Sequence, residues 1–189
     1  MLTGKHVILK TVCPKDIESI FNIIEKDEIG CYLSTSYKEL ALDDMPKFLY
    51  TTEPGTLARA FTVFDKKDGS IVGFIGASSI HNVRRNGYIA YLGIKTDIQY
   101  KGFGKDAFTL LVKYCFDYLN LHKLIFHTFG DNDRMNMNGI AEYAGWTLEG
   151  IQKEYYFTNG KYIDKKIWGL FKRDWKENPI YEHEIYKNM

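Results

Sequence analysis

The stretch DIQYKGFGKDAF, residues 97–108, sets Gly102 and Gly104 between basic residues and leads straight into an apolar segment. A phosphate cradle, a tight turn whose glycines only tolerate positive φ, and a ligand-free helix start all fit that composition, so the flanks decide. Downstream, Ala107, Leu110, Leu111, Tyr114, Cys115 and Tyr118 recur at helical spacing. Upstream, GYIAYLGI alternates as a strand. The glycines thus stand where a strand ends and a helix begins, with the first helical amides unpaired and the positive end of the dipole beside them. Glycine lets a bulky anion approach the backbone without meeting a Cβ. A bare turn accounts for the glycines but not for Lys101, Lys105 and the immediate helix start, so the phosphate reading is preferred.

Working outward, KLIFHTF (123–129) follows the helix as a β-rich run, which makes a strand–helix–strand crossover and requires the two strands to be parallel. Before the loop, ARAFTVFD, SIVGFIGASSI and GYIAYLGI alternate with period two, and Asp68-Gly69 and Asn86-Gly87 read as the hairpin turns of an antiparallel meander. The chain opens on a short strand, HVILKTV. A helix follows behind Pro14 with Ile17, Ile20, Phe21 and Ile24 on one face. Residues 28–41 are irregular, and LDDMPKFLY is a second short helix with Asp43 and Asp44 at its start. A helical stretch at 133–144 precedes a last hairpin marked by Asn159-Gly160, and Pro179 ends the final helical turn. We expect one domain over residues 1–175 and a tail over 176–189.

Composition excludes several function classes. With 189 residues, 45% hydrophobic, the chain suits a single core. Its 25 basic and 24 acidic side chains leave a formal charge of +1, so no overall field attracts nucleic acid or an anionic membrane. Cys13, Cys31 and Cys115 lack the spacing of a metal site or disulfide framework and suggest free thiols in a reducing cytoplasm. No run approaches the roughly 18 apolar residues of a membrane span. A Walker A loop is absent, because Asp106 follows Lys105 and no glycine stands five positions before Gly104. Gly102-x-Gly104-x-x-Ala107 meets the loose dinucleotide fingerprint, but that fold needs successive parallel units where this chain has a meander.

Gln99-Tyr-Lys-Gly102-Phe-Gly104 resembles the Q/R-x-x-G-x-G/A acyl-CoA loop of the GNAT superfamily of N-acetyltransferases. The element order and the closing GWTLEGIQKEYYFTNGKYIDKKIWGLFKRDW are similar to the ribosomal-protein N-terminal and spermidine acetyltransferase branches. The resemblance implies an α/β (mixed α+β) GNAT fold of about seven strands and about four helices. It further implies acetyl-CoA as co-substrate, no metal, and a cleft where the strand before the loop and the next parallel strand splay apart. By the same likeness, main-chain groups of Ile94, Lys95 and Thr96 would pair with the pantetheine arm. Amides of Gln99, Tyr100, Lys101, Gly102, Phe103, Gly104, Lys105 and Asp106 would hold the pyrophosphate, with Asn136 nearby and Ile94 N–H as oxyanion donor.

Acetyl transfer to an amine also needs a base and an acid. The family's usual carboxylate position holds Ile89 or Tyr91 here, and its helix positions hold Arg134, Met137 and Ala141, so all depart. His127, on a strand lining the expected opening, is the candidate base; Tyr91 and Tyr143 are candidate acids. Tyr32, Tyr37 and Glu28, with Tyr155, Tyr156 and Phe157, would line the acceptor pocket, open to a small amine, polyamine, amino sugar or peptide N-terminus. A non-catalytic CoA-binding sensor or scaffold is the alternative, and a homodimer through the last hairpin is compatible with the sequence.

Overall fold

The computed structural model describes residues 1–26, 41–129, 137–158 and 160–177. Within them β1 (Leu2–Thr3), β2 (Val7–Thr11), α1 (Ile17–Lys26) and α2 (Met45–Tyr50) precede the meander β3 (Leu57–Asp65), β4 (Ile71–His81) and β5 (Asn86–Ile94). Then come α3 (Phe103–Lys113), extended by a π turn over Tyr114–Tyr118, β6 (Lys123–Phe129), α4 (Met137–Tyr143), β7 (Thr147–Thr158), β8 (Lys161–Phe171) and α5 (Lys172–Glu177). The strands form an 8-stranded sheet in the order β1-β2-β3-β4-β5-β6-β8-β7. Only β5–β6 is parallel; every other pairing is antiparallel.

Each helix buries the stripe its sequence spacing provides. α1 sends Ile20, Ile23 and Ile24 inward, where they join Met45, Leu49, Phe74 and Tyr91 on one face of the sheet. α3 covers the other face with Ala107, Leu110, Leu111 and Cys115, against Val7, Leu9, Ile75, Leu124 and Phe126. Cys115 is fully buried, and burial pushes its thiol up to about 12, so it is core.

Two turn expectations fare differently. Asp68-Gly69 does turn the chain, with Gly69 at φ +76° and the Asp68 carboxylate accepting Ser70 N–H at 2.8 Å. Asn86-Gly87 does not turn it; both residues lie inside β5, and the chain reverses just before them with Arg85 at φ +54°. Gly87 is small for packing, since a Cβ there would come within 2.9 Å of Leu121 Cδ1.

The middle of β5 carries an irregularity that fixes the site. Gly76 of β4 pairs with Tyr91 and Ala77 pairs with Ile89, so Ala90 is an extra residue, a β-bulge. It flips the alternation: Ile89 belongs to the α3-side core, and Tyr91 to the α1–α2 side. The Tyr91 ring lies over Gly76, where any Cβ would overlap it.

Candidate active site

β5 and β6 pair only through Asn86↔Lys123, Gly87↔Leu124 and Tyr88↔Ile125. Beyond Tyr88 they part, while β5 stays paired to β4 and β6 to β8 up to Phe129. A cleft therefore opens between parallel neighbours, as the sequence reading requires. Lys95 N–H donates to Val72 O at 3.0 Å, which makes that pair a hydrogen-bonded one. By the alternation of an antiparallel ladder, Ile94 and Leu92 turn their N–H and C=O away from β4 and toward the cleft. Ile94 O accepts Gln99 Nε2 at 3.0 Å, so Gln99 closes the mouth of the cleft through its side chain. Leu92 carries no sequence signal, because its orientation depends on main-chain register.

At the cleft's mouth the loop folds tightly. Thr96–Ile98 form a 3-10 turn after Lys95, and Tyr100, exposed, takes φ +63°. Lys101 Nζ donates to Asp97 O at 3.0 Å, so its charge braces the loop itself. Gly102 is the N-cap of α3 at φ +91°, with no side chain closing the first helical amides. Phe103 sits against the His6 ring at 5.9 Å, and a Cβ on Gly104 would meet Ile94 Cγ1 at an ordinary 3.6 Å. Gly104 thus faces the two cleft-facing residues of β5. Lys105 lies in the same first turn. Asp106 serves differently from the amide role the resemblance implied. Its N–H donates to Gly102 O within the helix, and its carboxylate accepts His6 N–H at 2.7 Å and Val7 N–H at 3.0 Å. No sequence spacing pairs residues so far apart.

The acid–base candidates separate clearly. Tyr91 donates from its hydroxyl to Leu49 O at 2.8 Å, and burial raises its pKa strongly. With its proton committed and its ring packed between Phe48 and Phe74, Tyr91 is an anchor for α2, which corrects its assignment as an acid. His127 is half-buried on β6, on the face opposite Leu124 and Phe126. Burial first, and then the Lys165 ammonium on β8, bring its pKa from an ordinary 6.5 down to about 4. Its ring meets Tyr88 edge-on at 4.4 Å. The same face carries the Phe129–Tyr156 contact at 4.5 Å, and Lys165 Nζ lies over the Tyr155 ring at 4.3 Å. Asn138 on α4 accepts Thr128 Oγ1 at 2.6 Å, and Thr128 in turn accepts Trp168 Nε1 at 3.0 Å, which fixes α4 to β6. Tyr143 ends α4, but its side chain, Arg134, Asn136, and the acceptor candidates Glu28, Tyr32 and Tyr37 lie outside the described residues.

Open main-chain donors on β5, a glycine-capped helix start facing them and a cleft between parallel strands define an acyl-CoA transferase. The acetyltransferase (GNAT) domain family matches residues 9–167, and the chain belongs to that family. Spermidine N(1)-acetyltransferase of Vibrio cholerae is 30% identical over 86% of this chain and 91% of its own length. A Bacillus subtilis (strain 168) protein, named provisionally as a ribosomal N-acetyltransferase, is 24% identical over 92% of this chain and 95% of its own. The crystal structure of the Vibrio cholerae spermidine N-acetyltransferase with CoA and spermine shares the fold, with a TM-score of 0.79, 22% identity, and coverage of 91% and 99% of the two chains. The protein is an acetyl-CoA-dependent N-acetyltransferase acting on a primary amine. No helix among the described residues is long and apolar enough to cross a membrane.

Proposed function

We propose that the acceptor is an amine of low basicity, with a peptide N-terminus favoured over a polyamine. The observation that carries this is His127, held at about 4 beside Lys165, with no carboxylate at the family's usual position. An α-amino group titrates near 7.7–8.0 and is substantially neutral at mildly alkaline pH, so a weak base suffices. A side-chain-like amine near 10.4 arrives almost wholly protonated and needs more help. Lys165 also disfavours a polycation on this face. The polyamine reading is supported by the relative named for spermidine and remains the second outcome of the test.

Acetyl-CoA supplies a thioester whose carbonyl carbon the amine attacks. The amides of Gly102, Phe103 and Gly104 at the start of α3 hold the pyrophosphate. Leu92 and Ile94 N–H pair along the arm, and one of them donates to the carbonyl as charge develops there. His127 takes the proton that the amine nitrogen sheds. The reading also places residues 1–175 in one domain with 176–189 as a tail. The free thiols Cys13 and Cys115 favour the cytoplasm. The exposed Phe157 and Tyr162 at the last hairpin favour a homodimer there.

Thiol release with a panel of peptide N-termini, spermidine, spermine and amino sugars tests the acceptor. A kcat/KM for one peptide at least tenfold above that for every polyamine is expected. The reverse order overturns it.

A further inference from the structure

The geometry points to Tyr88 as the group that protonates the departing thiolate; this rests on the cleft and on His127 as described above. Tyr88 is the last residue of β5 that pairs with β6, so it stands at the apex of the cleft. Its pairing partner is Ile125, yet its ring meets His127, two positions further along β6, edge-on at 4.4 Å. Such a diagonal contact means that the ring leans from the paired region into the opening. The phenol oxygen is buried and has no hydrogen-bond partner among the described residues. Leaving a buried hydroxyl unpaired is costly, so an acceptor that arrives with the substrate accounts for it. Tyr91, three residues along, shows the contrast: its hydroxyl is already bonded to Leu49.

The proton count closes on these two side chains. The amine nitrogen bonds to the carbonyl carbon, and the C–S bond breaks with its electron pair going to sulfur. The Tyr88 hydroxyl proton passes to that sulfur. The proton shed by nitrogen goes to His127; as the products leave, His127 gives that proton to water and the phenolate recovers one from water. A phenol near 10 gives its proton to a thiol near 8.5 against the ordinary order, and desolvation of the thiolate in the cleft narrows that gap. Lys165 of β8 is the charged group that acts on His127 among the described residues.

The test is Tyr88→Phe, which removes an unpartnered oxygen and keeps the ring, so the variant should fold with an unchanged or higher Tm. Ultraviolet difference titration of the thiol of bound CoA needs no acceptor amine. In wild type Tyr88 stabilises the thiolate by hydrogen bonding; in Tyr88→Phe the bound thiol's ionisation constant should fall roughly tenfold, and kcat should drop about 10²-fold at unchanged acetyl-CoA affinity. An unmoved thiol titration at unchanged CoA affinity overturns the role of Tyr88, whatever kcat does, since a packing residue would leave the thiol alone. His127→Asn separates the two readings: the thiol difference between Tyr and Phe at 88 should persist in that background even if His127 is not the base. Failure of wild type to bind CoA would instead sink the cleft itself.

Discussion

The carboxylate of Asp106, in the first turn of α3, accepts the main-chain amide of His6 at 2.7 Å. It takes the Val7 amide as well, so one buried side chain ties the start of the helix to the start of β2. The anchored end is the end that presents free amides to the cleft. A negative residue in a helix's first turn suits the dipole, and here two external amides absorb its charge close to where an anion binds.

Asp106→Ala should therefore destabilise the fold by about 1–3 kcal/mol, because the His6 and Val7 amides both bond one carboxylate oxygen and would lose their acceptor. Gly4→Ala should do similar harm from the other side, since any Cβ there overlaps the Asp106 carboxylate. Urea unfolding of both variants checks this. Wild-type midpoints would show that the tie is dispensable.

Tyr91 and Gly76 give the second prediction. Tyr91→Phe should lose about 1 kcal/mol by orphaning Leu49 O, and keep kcat within about twofold because the hydroxyl only anchors α2. Gly76→Ala should cost about 1–3 kcal/mol by forcing the ring off its seat. Combined with Tyr91→Leu, that penalty should shrink, a coupling that a double-mutant cycle in denaturant reads directly. A tenfold fall in kcat for Tyr91→Phe would restore Tyr91 as an acid.

The strands, the helix faces and the loop were legible because each follows from local periodicity or from glycines and lysines at a helix start. Three features were not. Asn86-Gly87 has the composition of a turn, but a packing demand at Leu121 outweighed it. The Ala90 bulge has no mark in GYIAYLGI, whose alternation reads as unbroken, so the faces of Tyr88 and Tyr91 could not be assigned from it. Asp106 looked like part of an anion loop, and only the long-range contact with His6 and Val7 revealed where its carboxylate goes. His127 was singled out as the histidine on the strand that the family resemblance sets beside the cleft.

His127 sets a pH prediction with a definite sign. Its folded pKa, about 4, lies below the ordinary 6.5, so between those values the unfolded chain binds a proton that the folded chain does not. This group's contribution to stability is complete above pH 6.5, erodes as pH falls, and levels off below about 4. Lys165→Gln should raise the pKa of His127, while leaving it under 6.5 because burial is the larger cause. Titration of the His127 C2 proton by NMR, assigned with His127→Asn, measures both. A midpoint near 6.5 in wild type would contradict the desolvated setting.

Gly104 offers a way to separate folding from binding at the loop. A Cβ at this position meets Ile94 Cγ1 at 3.6 Å and Leu92 Cδ2 at 4.0 Å, so the protein itself has room for a methyl group. Glycine in a helix costs roughly 0.5–1 kcal/mol relative to alanine, and Gly104→Ala should therefore raise Tm slightly. That methyl group would rest on the Ile94 and Leu92 side chains, and alanine fits the G-x-G/A pattern of the loop, so Gly104→Ala should leave the helix start open. Gly104→Val adds branches beyond that contact and crowds the amides at the start of α3. We expect acetyl-CoA to bind Gly104→Ala within about twofold of wild type, and Gly104→Val at least tenfold more weakly, with both variants folded by circular dichroism. Calorimetric titration gives the affinities without any acceptor amine. Wild-type affinity in Gly104→Val would mean that the pyrophosphate is held away from the start of α3.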